Sequence, residues 1–159
     1  MSEVVVDILL VEDSQNDIDL ALHALRQEKL ANSIFVVRDG EEALDFLFCR
    51  GAFSQRRFEH PPKLVLLDLK LPKIDGLQVL KEVKSDARTK TIPVVIMTSS
   101  KEERDLVESY SLGVNSFIQK PVDFDQFRST VKTLGLYWLV VNQAPVNGAP
   151  QPAGAARER

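Results

Sequence analysis

The sequence contains one cysteine, Cys49, in 159 residues. A single thiol closes no disulfide within the chain and anchors no thiolate metal cluster. Long apolar runs are missing as well. None approaches the roughly 18 residues that span a bilayer, so no membrane contact is expected. The N-terminus, Met1-Ser2-Glu3, lacks the basic start and apolar stretch of a secretory leader, and a cytoplasmic location is the expectation. Nor is there an excess of positive charge. The 20 Lys and Arg are set against 23 Asp and Glu, for a net charge of -3, which argues against a general nucleic-acid binder. What is present suits a folded domain: 44% hydrophobic and 27% charged residues exclude a disordered chain. The length fits one domain with little left over.

Short apolar runs recur along the chain. Residues 4–11 form a β-branched run broken only by Asp7 and ending at Glu12-Asp13. Residues 64–67 form another, ending at Asp68, and residues 92–97 a third, ending at Thr98. Residues 33–37 and 115–119 are weaker runs. Runs this short and nearly continuous suit strands buried on both faces. Between them apolar residues recur with helical spacing, as in Ile18, Ala21, Leu22 and Leu25, or Phe124, Phe127, Val131 and Leu134. Ser14…Asp17, Asp39…Glu42, Ser100…Glu103 and Asp123…Gln126 each place a capping residue three before a carboxylate or amide, a helix-start signal.

Five repeats of strand then helix imply right-handed crossovers and an α/β fold. The expected architecture is a flavodoxin-like, doubly wound, five-stranded parallel sheet in the order 2-1-3-4-5, with five helices. Its functional crevice lies where the winding reverses, at the C-terminal ends of strands 1 and 3. Two stretches stand outside the repeat. Residues 50–62 are longer than a usual helix-to-strand connection. Residues 142–159 are rich in Ala, Pro and Gly and read as a flexible tail, leaving residues 1–141 as the domain.

In that order Glu12, Asp13 and Asp68 emerge at one edge. A single acid after a strand is ordinarily a turn or a cap. Three at one edge repel one another unless protons or a cation neutralise them. Hard oxygen ligands without His or Cys favour Mg²⁺. Thr98 and Lys120 end the next two strands, so a hydroxyl and an ammonium flank the acids. Together these groups suit an aspartyl phosphate: an ionised carboxylate attacks phosphorus without a general base, and cationic and hydroxyl groups hold the phosphoryl oxygens.

The residues that carry this reading also resemble a known family. Ile8-Leu9-Leu10-Val11-Glu12-Asp13, then Leu66-Leu67-Asp68-Leu69-Lys70-Leu71-Pro72-Lys73-Ile74-Asp75-Gly76, then Pro93-Val94-Val95-Ile96-Met97-Thr98-Ser99, then Lys120-Pro121, are similar in order and spacing to the receiver domain of two-component response regulators. The resemblance implies that Asp68 is the phosphoacceptor and that Glu12, Asp13, Asp68 and the backbone carbonyl of Lys70 hold Mg²⁺. It implies that Lys120 and Thr98 contact the phosphoryl group, and that Thr98 and Phe117 act as switch residues, although Phe117 also reads as a simple core residue. A finer likeness is to the stand-alone regulators of phytochrome-type histidine kinases. They share the long connection before strand 3, the pattern Ser109-Tyr110-Ser111-Leu112-Gly113-Val114-Asn115 and an aromatic last helix. The implied partner is a sensor histidine kinase of that type.

No output domain fits in the remaining residues, so signalling by protein contact is expected. The end of the last helix, with Leu134, Leu136, Tyr137, Trp138, Leu139, Val140 and Val141, is apolar almost all round, which reads either as packing under the domain's own core or as an interface, and Phe127 of the same helix is placed at that interface. The expectation is a homodimer through strand 5 and helix 5. The expected role is not that of an enzyme beyond the protein's own phosphotransfer and slow autodephosphorylation. Two alternatives remain: a small phosphatase with an Asp nucleophile, against which Lys70 occupies the place of a general acid, and an unphosphorylated scaffold of the same fold.

Overall fold

Apolar runs of four or five residues are too short for stable helices, and in this chain they pair as strands. A computed structural model describes residues 6–27, 33–120 and 123–136. Tyr137, Trp138, Leu139, Pro121 and the expected tail at residues 142–159 lie outside the described residues. The elements are β1 (Ile8–Val11), α1 (Gln15–Gln27), β2 (Ile34–Val37), α2 (Gly40–Leu47), β3 (Leu64–Asp68), α3 (Gly76–Ser85), β4 (Val94–Thr98), α4 (Lys101–Ser109), β5 (Ser116–Gln119) and α5 (Phe124–Leu136). The strands pair in parallel in the order β2-β1-β3-β4-β5, as expected.

Because side chains alternate across a strand, each apolar run feeds two layers. Leu9, Val11, Leu67 and Ile96 face a core shared with Ala43 and Leu44 of α2, Val79, Leu80 and Val83 of α3, and Val107 of α4. Ile8, Leu10, Leu66 and Met97 face the opposite core, with Ile18, Ala21 and Leu25 of α1 and Phe127 of α5. Every residue of β1, β3 and β4 is buried. The strand within the run at 4–11 starts only at Ile8, one residue after Asp7. Phe127 was expected at an interface between copies. Its side chain is only 1% exposed and belongs to the chain's own core, so it supports the α5 face from beneath.

The long connection before β3 has a packing role. A single 3-10 turn at Gly51–Phe53 sets Phe53 edge-on against Phe46 of α2, with centroids 5.1 Å apart, and against Phe35 of β2 at 5.6 Å. The Arg56 guanidinium lies 3.8 Å from the centre of the Phe46 ring. These contacts pack the connection onto α2 and β2.

One helix start bears on the site. Asp75 caps α3 by accepting the Gln78 N–H at 2.9 Å. Gly76 brings that helix against the end of β3. A Cβ at this position would stand 2.3 Å from the Asp68 carbonyl oxygen and 2.6 Å from the Leu69 Cα, so only glycine fits. No helix among the described residues is long and apolar enough to cross a membrane.

Candidate functional site

Parallel pairing of β1 with β3 sets Val11 beside Leu67, so the next residues, Glu12 and Asp68, leave the sheet side by side. Carboxylate oxygens of Glu12, Asp13 and Asp68 all lie within 4.8 Å of one another. Glu12 and Asp68 are buried, at 1% and 3% exposure, and Asp13 is open to solvent. Two carboxylates about 4 Å apart repel by about 4 kcal/mol at an effective dielectric near 20, so the cluster requires compensating positive charge.

Lys120 supplies part of it from the end of β5. Its ammonium is 3.1 Å from Glu12 Oε1 and 3.3 Å from Asp68 Oδ2. Its shortest contact is to Asp17 Oδ2 of α1, at 2.9 Å. Three carboxylates thus share one ammonium. Burial and the neighbouring Asp68 charge push the Glu12 carboxyl up to about 7, against the opposing pull of the Ser14 N–H and of Lys120. Burial alone would lower Lys120, but its hydrogen bond to the Asp17 carboxylate and the charges of Asp68 and Glu12 outweigh it and hold the ammonium above its ordinary range. The donor set is three hard oxygens with residual negative charge, which fits a divalent cation.

The remaining predicted residues flank this centre. The Lys70 N–H points at Asp68 Oδ1, 3.3 Å away, while the exposed Lys70 ammonium lies 3.8 Å from Glu103 Oε2 of α4. Thr98, at the end of β4, is buried at 3% exposure. Its hydroxyl donates to Glu103 Oε1 at 2.5 Å and accepts the Ser100 N–H at 3.2 Å. Phe117 on β5 is half-buried, with the Arg104 guanidinium 4.7 Å from its ring centre. A cleft of about 340 Å³ opens beside Thr98 and Phe117, lined also by Arg104, Gln119 and Phe127.

The structure therefore gathers Glu12, Asp13, Asp68 and Lys120 at one point and turns the Thr98 hydroxyl toward α4. Two residues that sequence reasoning read only as helix-cap partners prove to be part of the site. The Asp17 N–H lies a long 3.4 Å from Ser14 Oγ, while the Asp17 carboxylate goes to Lys120. The Glu103 N–H is capped by Ser100 Oγ at 3.0 Å, while its carboxylate goes to Thr98. The usable signal was the acid itself, three residues after a cap on a helix that begins at the functional edge.

Comparison with known proteins agrees with this arrangement. The family model for the response regulator receiver domain matches residues 8–132. The chain is 39% identical over 138 residues to the probable methanogenesis regulatory protein FilR2 of Methanothrix harundinacea (strain 6Ac), covering 87% of this chain and 86% of that one. It is 38% identical over 132 residues to the response regulator Rcp1 of Synechocystis sp. (strain ATCC 27184 / PCC 6803 / Kazusa), covering 83% and 88%. Among solved structures, the bacteriophytochrome response regulator RtBRR superposes with a TM-score of 0.76 at 50% identity, covering 90% and 86%. The phosphorylated cyanobacterial phytochrome response regulator RcpA gives 0.72 at 40% identity, covering 86% and 95%. The Mn²⁺-bound form of Rcp1 gives 0.71 at 35% identity, covering 94% and 100%.

Proposed function

The chain belongs to the response regulator receiver domain family and is a two-component response regulator, and on that premise we propose that Asp68 accepts a phosphoryl group from a sensor histidine kinase of the phytochrome type. The observation that carries this reading is the meeting of Glu12, Asp13 and Asp68 within 4.8 Å under the Lys120 ammonium. The kinase class rests on the likeness to RtBRR, RcpA and Rcp1; a histidine kinase partner in general follows from the family.

The proposed chemistry uses few groups. An Asp68 carboxylate oxygen attacks phosphorus as the bond from phosphorus to the kinase histidine nitrogen breaks, and that electron pair returns to the imidazole. A carboxylate nucleophile carries no proton to remove and needs no base. Lys120, held between Glu12 and Asp68, takes one phosphoryl oxygen as charge builds there. Thr98 offers a hydrogen bond to another. Receiver domains bind a divalent cation at this acidic site; Glu12, Asp13, Asp68 and the Lys70 carbonyl would hold it, read here as Mg²⁺, and it would supply charge neutralisation for the phosphoryl oxygens. Slow autodephosphorylation completes the proposed cycle, in the cytoplasm, within a domain of residues 1–141.

Output runs through Thr98 and Phe117 to the face formed by α4, β5 and α5. A homodimer through β5 and α5 is proposed, with Tyr137, Trp138 and Leu139 as its apolar anchors. Its support is the position of β5 at the sheet edge, where one side of the strand has no neighbour among the described residues. Sedimentation of Trp138→Ala across a concentration series is expected to show weakened assembly; unchanged assembly removes the proposal.

Incubation with Mg²⁺ and acetyl phosphate, followed by intact mass, tests the central reading. One phosphoryl group per chain is expected, none in excess chelator and none in Asp68→Asn. Consumption of the donor without gain in mass indicates the phosphatase alternative, and no reaction indicates the scaffold.

A further inference from the structure

Thr98 and Glu103 form a contact that the phosphotransfer chemistry does not use. A hydroxyl has one proton and donates it to one acceptor at a time. Two acceptors lie within reach of the Thr98 hydroxyl, Glu103 Oε1 at 2.5 Å and the Ser100 carbonyl at 3.4 Å, and the shorter, charged contact takes the proton. While that bond stands, Thr98 has no proton for a phosphoryl oxygen on Asp68.

We propose that Glu103 is a latch: its carboxylate parks the Thr98 hydroxyl on α4, and binding of a phosphoryl group at Asp68 requires this bond to be exchanged. The inference rests on Asp68 being the phosphoacceptor. Three features of the geometry favour a built latch over a chance contact. The Ser100 N–H, which a capping carboxylate at Glu103 would accept, goes to Thr98 Oγ1 at 3.2 Å, and the Glu103 N–H goes to Ser100 Oγ at 3.0 Å, so the carboxylate is not used for the cap. The second oxygen, Oε2, lies 3.8 Å from the Lys70 ammonium, which aims the carboxylate across the mouth of the site. The next residue, Arg104, covers the Phe117 ring at 4.7 Å. The first turn of α4 thus holds both proposed switch residues, and exchanging the Thr98 bond frees the turn that also rests on Phe117. A hydrogen bond to a charged acceptor is stronger than a neutral one, so the latch raises the threshold for activation. Glu103 is therefore a positioning residue that acts through Thr98.

The test is affinity for beryllofluoride, a phosphoryl mimic, measured by titration calorimetry in saturating Mg²⁺. Glu103→Ala is expected to tighten binding on the order of tenfold, and Glu103→Gln by less, because the amide oxygen still accepts from Thr98. Removing a negative charge near the site also favours an anion, so the same change is made in a Thr98→Val background. There the latch predicts little gain from Glu103→Ala, whereas Thr98→Ser restores it. Thermal melts and Mg²⁺ affinity identify any variant that is merely misfolded, and Thr98→Ala replaces Thr98→Val if the latter fails to fold. An unchanged affinity in Glu103→Ala overturns the latch, as does an equal gain with and without the Thr98 hydroxyl. A wild-type protein that takes up neither beryllofluoride nor phosphoryl overturns the phosphoacceptor reading as well, which separates the two failures.

Discussion

The Lys120 ammonium lies closer to Asp17, at 2.9 Å, than to the proposed phosphoacceptor. A residue on the first helix therefore sets where the cation from the last strand stands. The shared position resolves a conflict: Lys120 must hold the acids together before phosphorylation and turn to the phosphoryl oxygens afterwards.

Asp17→Asn removes the hydrogen-bonded anion that does most to hold Lys120 above its ordinary range. The Lys120 titration, followed by carbon NMR of labelled lysine, is expected to move down. The charges of Asp68 and Glu12 remain, so the fall is partial. A titration that does not move removes Asp17 from the site.

Glu12 gives the site a pH dependence. Its folded value is pushed up to about 7, above the ordinary carboxylate range, so folding takes up a proton between the two values. The sign follows: the stabilising contribution is present below the unfolded value and is lost as pH rises through about 7. A divalent cation competes with that proton. Without metal the protein is expected to melt lower at about pH 8 than at about pH 6 on this account, and Mg²⁺ is expected to raise the melting temperature more at the higher pH. Apparent Mg²⁺ affinity is expected to fall by up to about tenfold per pH unit below 7. Glu12→Gln flattens both profiles. Thermal melts with and without Mg²⁺ across this range check them.

Gly76→Ala places a Cβ against backbone that cannot rotate away, 2.3 Å from the Asp68 carbonyl oxygen. The expected cost is about 1–3 kcal/mol or more in urea unfolding. The end of β3 must shift to accept the methyl, so phosphoryl uptake from acetyl phosphate is expected to fall too. A variant with unchanged stability contradicts the close approach.

The fold was legible because its strands advertise themselves. Runs such as Leu64-Val65-Leu66-Leu67 are apolar on both faces, and alternation with helical spacing leaves few topologies. The acids at 12, 13 and 68 were legible because they end those runs. Asp17 and Glu103 were not. Each sits three residues after Ser14 or Ser100, where an acid normally serves the cap, and nothing in the spacing says that the carboxylate leaves for Lys120 or Thr98. The same limit applies to Phe127. Helical spacing marks the face that carries Phe127 but not what that face meets, and in the structure the ring faces the chain's own core with Ile18 and Met97. In the long connection, loop length was visible, but the seating of Phe53 and Arg56 on Phe46 depends on contacts across three elements.

The most direct test of the account is the position of the phosphoryl ester. Protein phosphorylated with acetyl phosphate and Mg²⁺ is reduced with borohydride, which converts an acyl phosphate to an alcohol, then digested and sequenced by mass spectrometry. The account predicts reduction at Asp68 alone. Reduction at Asp13, Asp17 or any other carboxylate, with Asp68 intact, contradicts it.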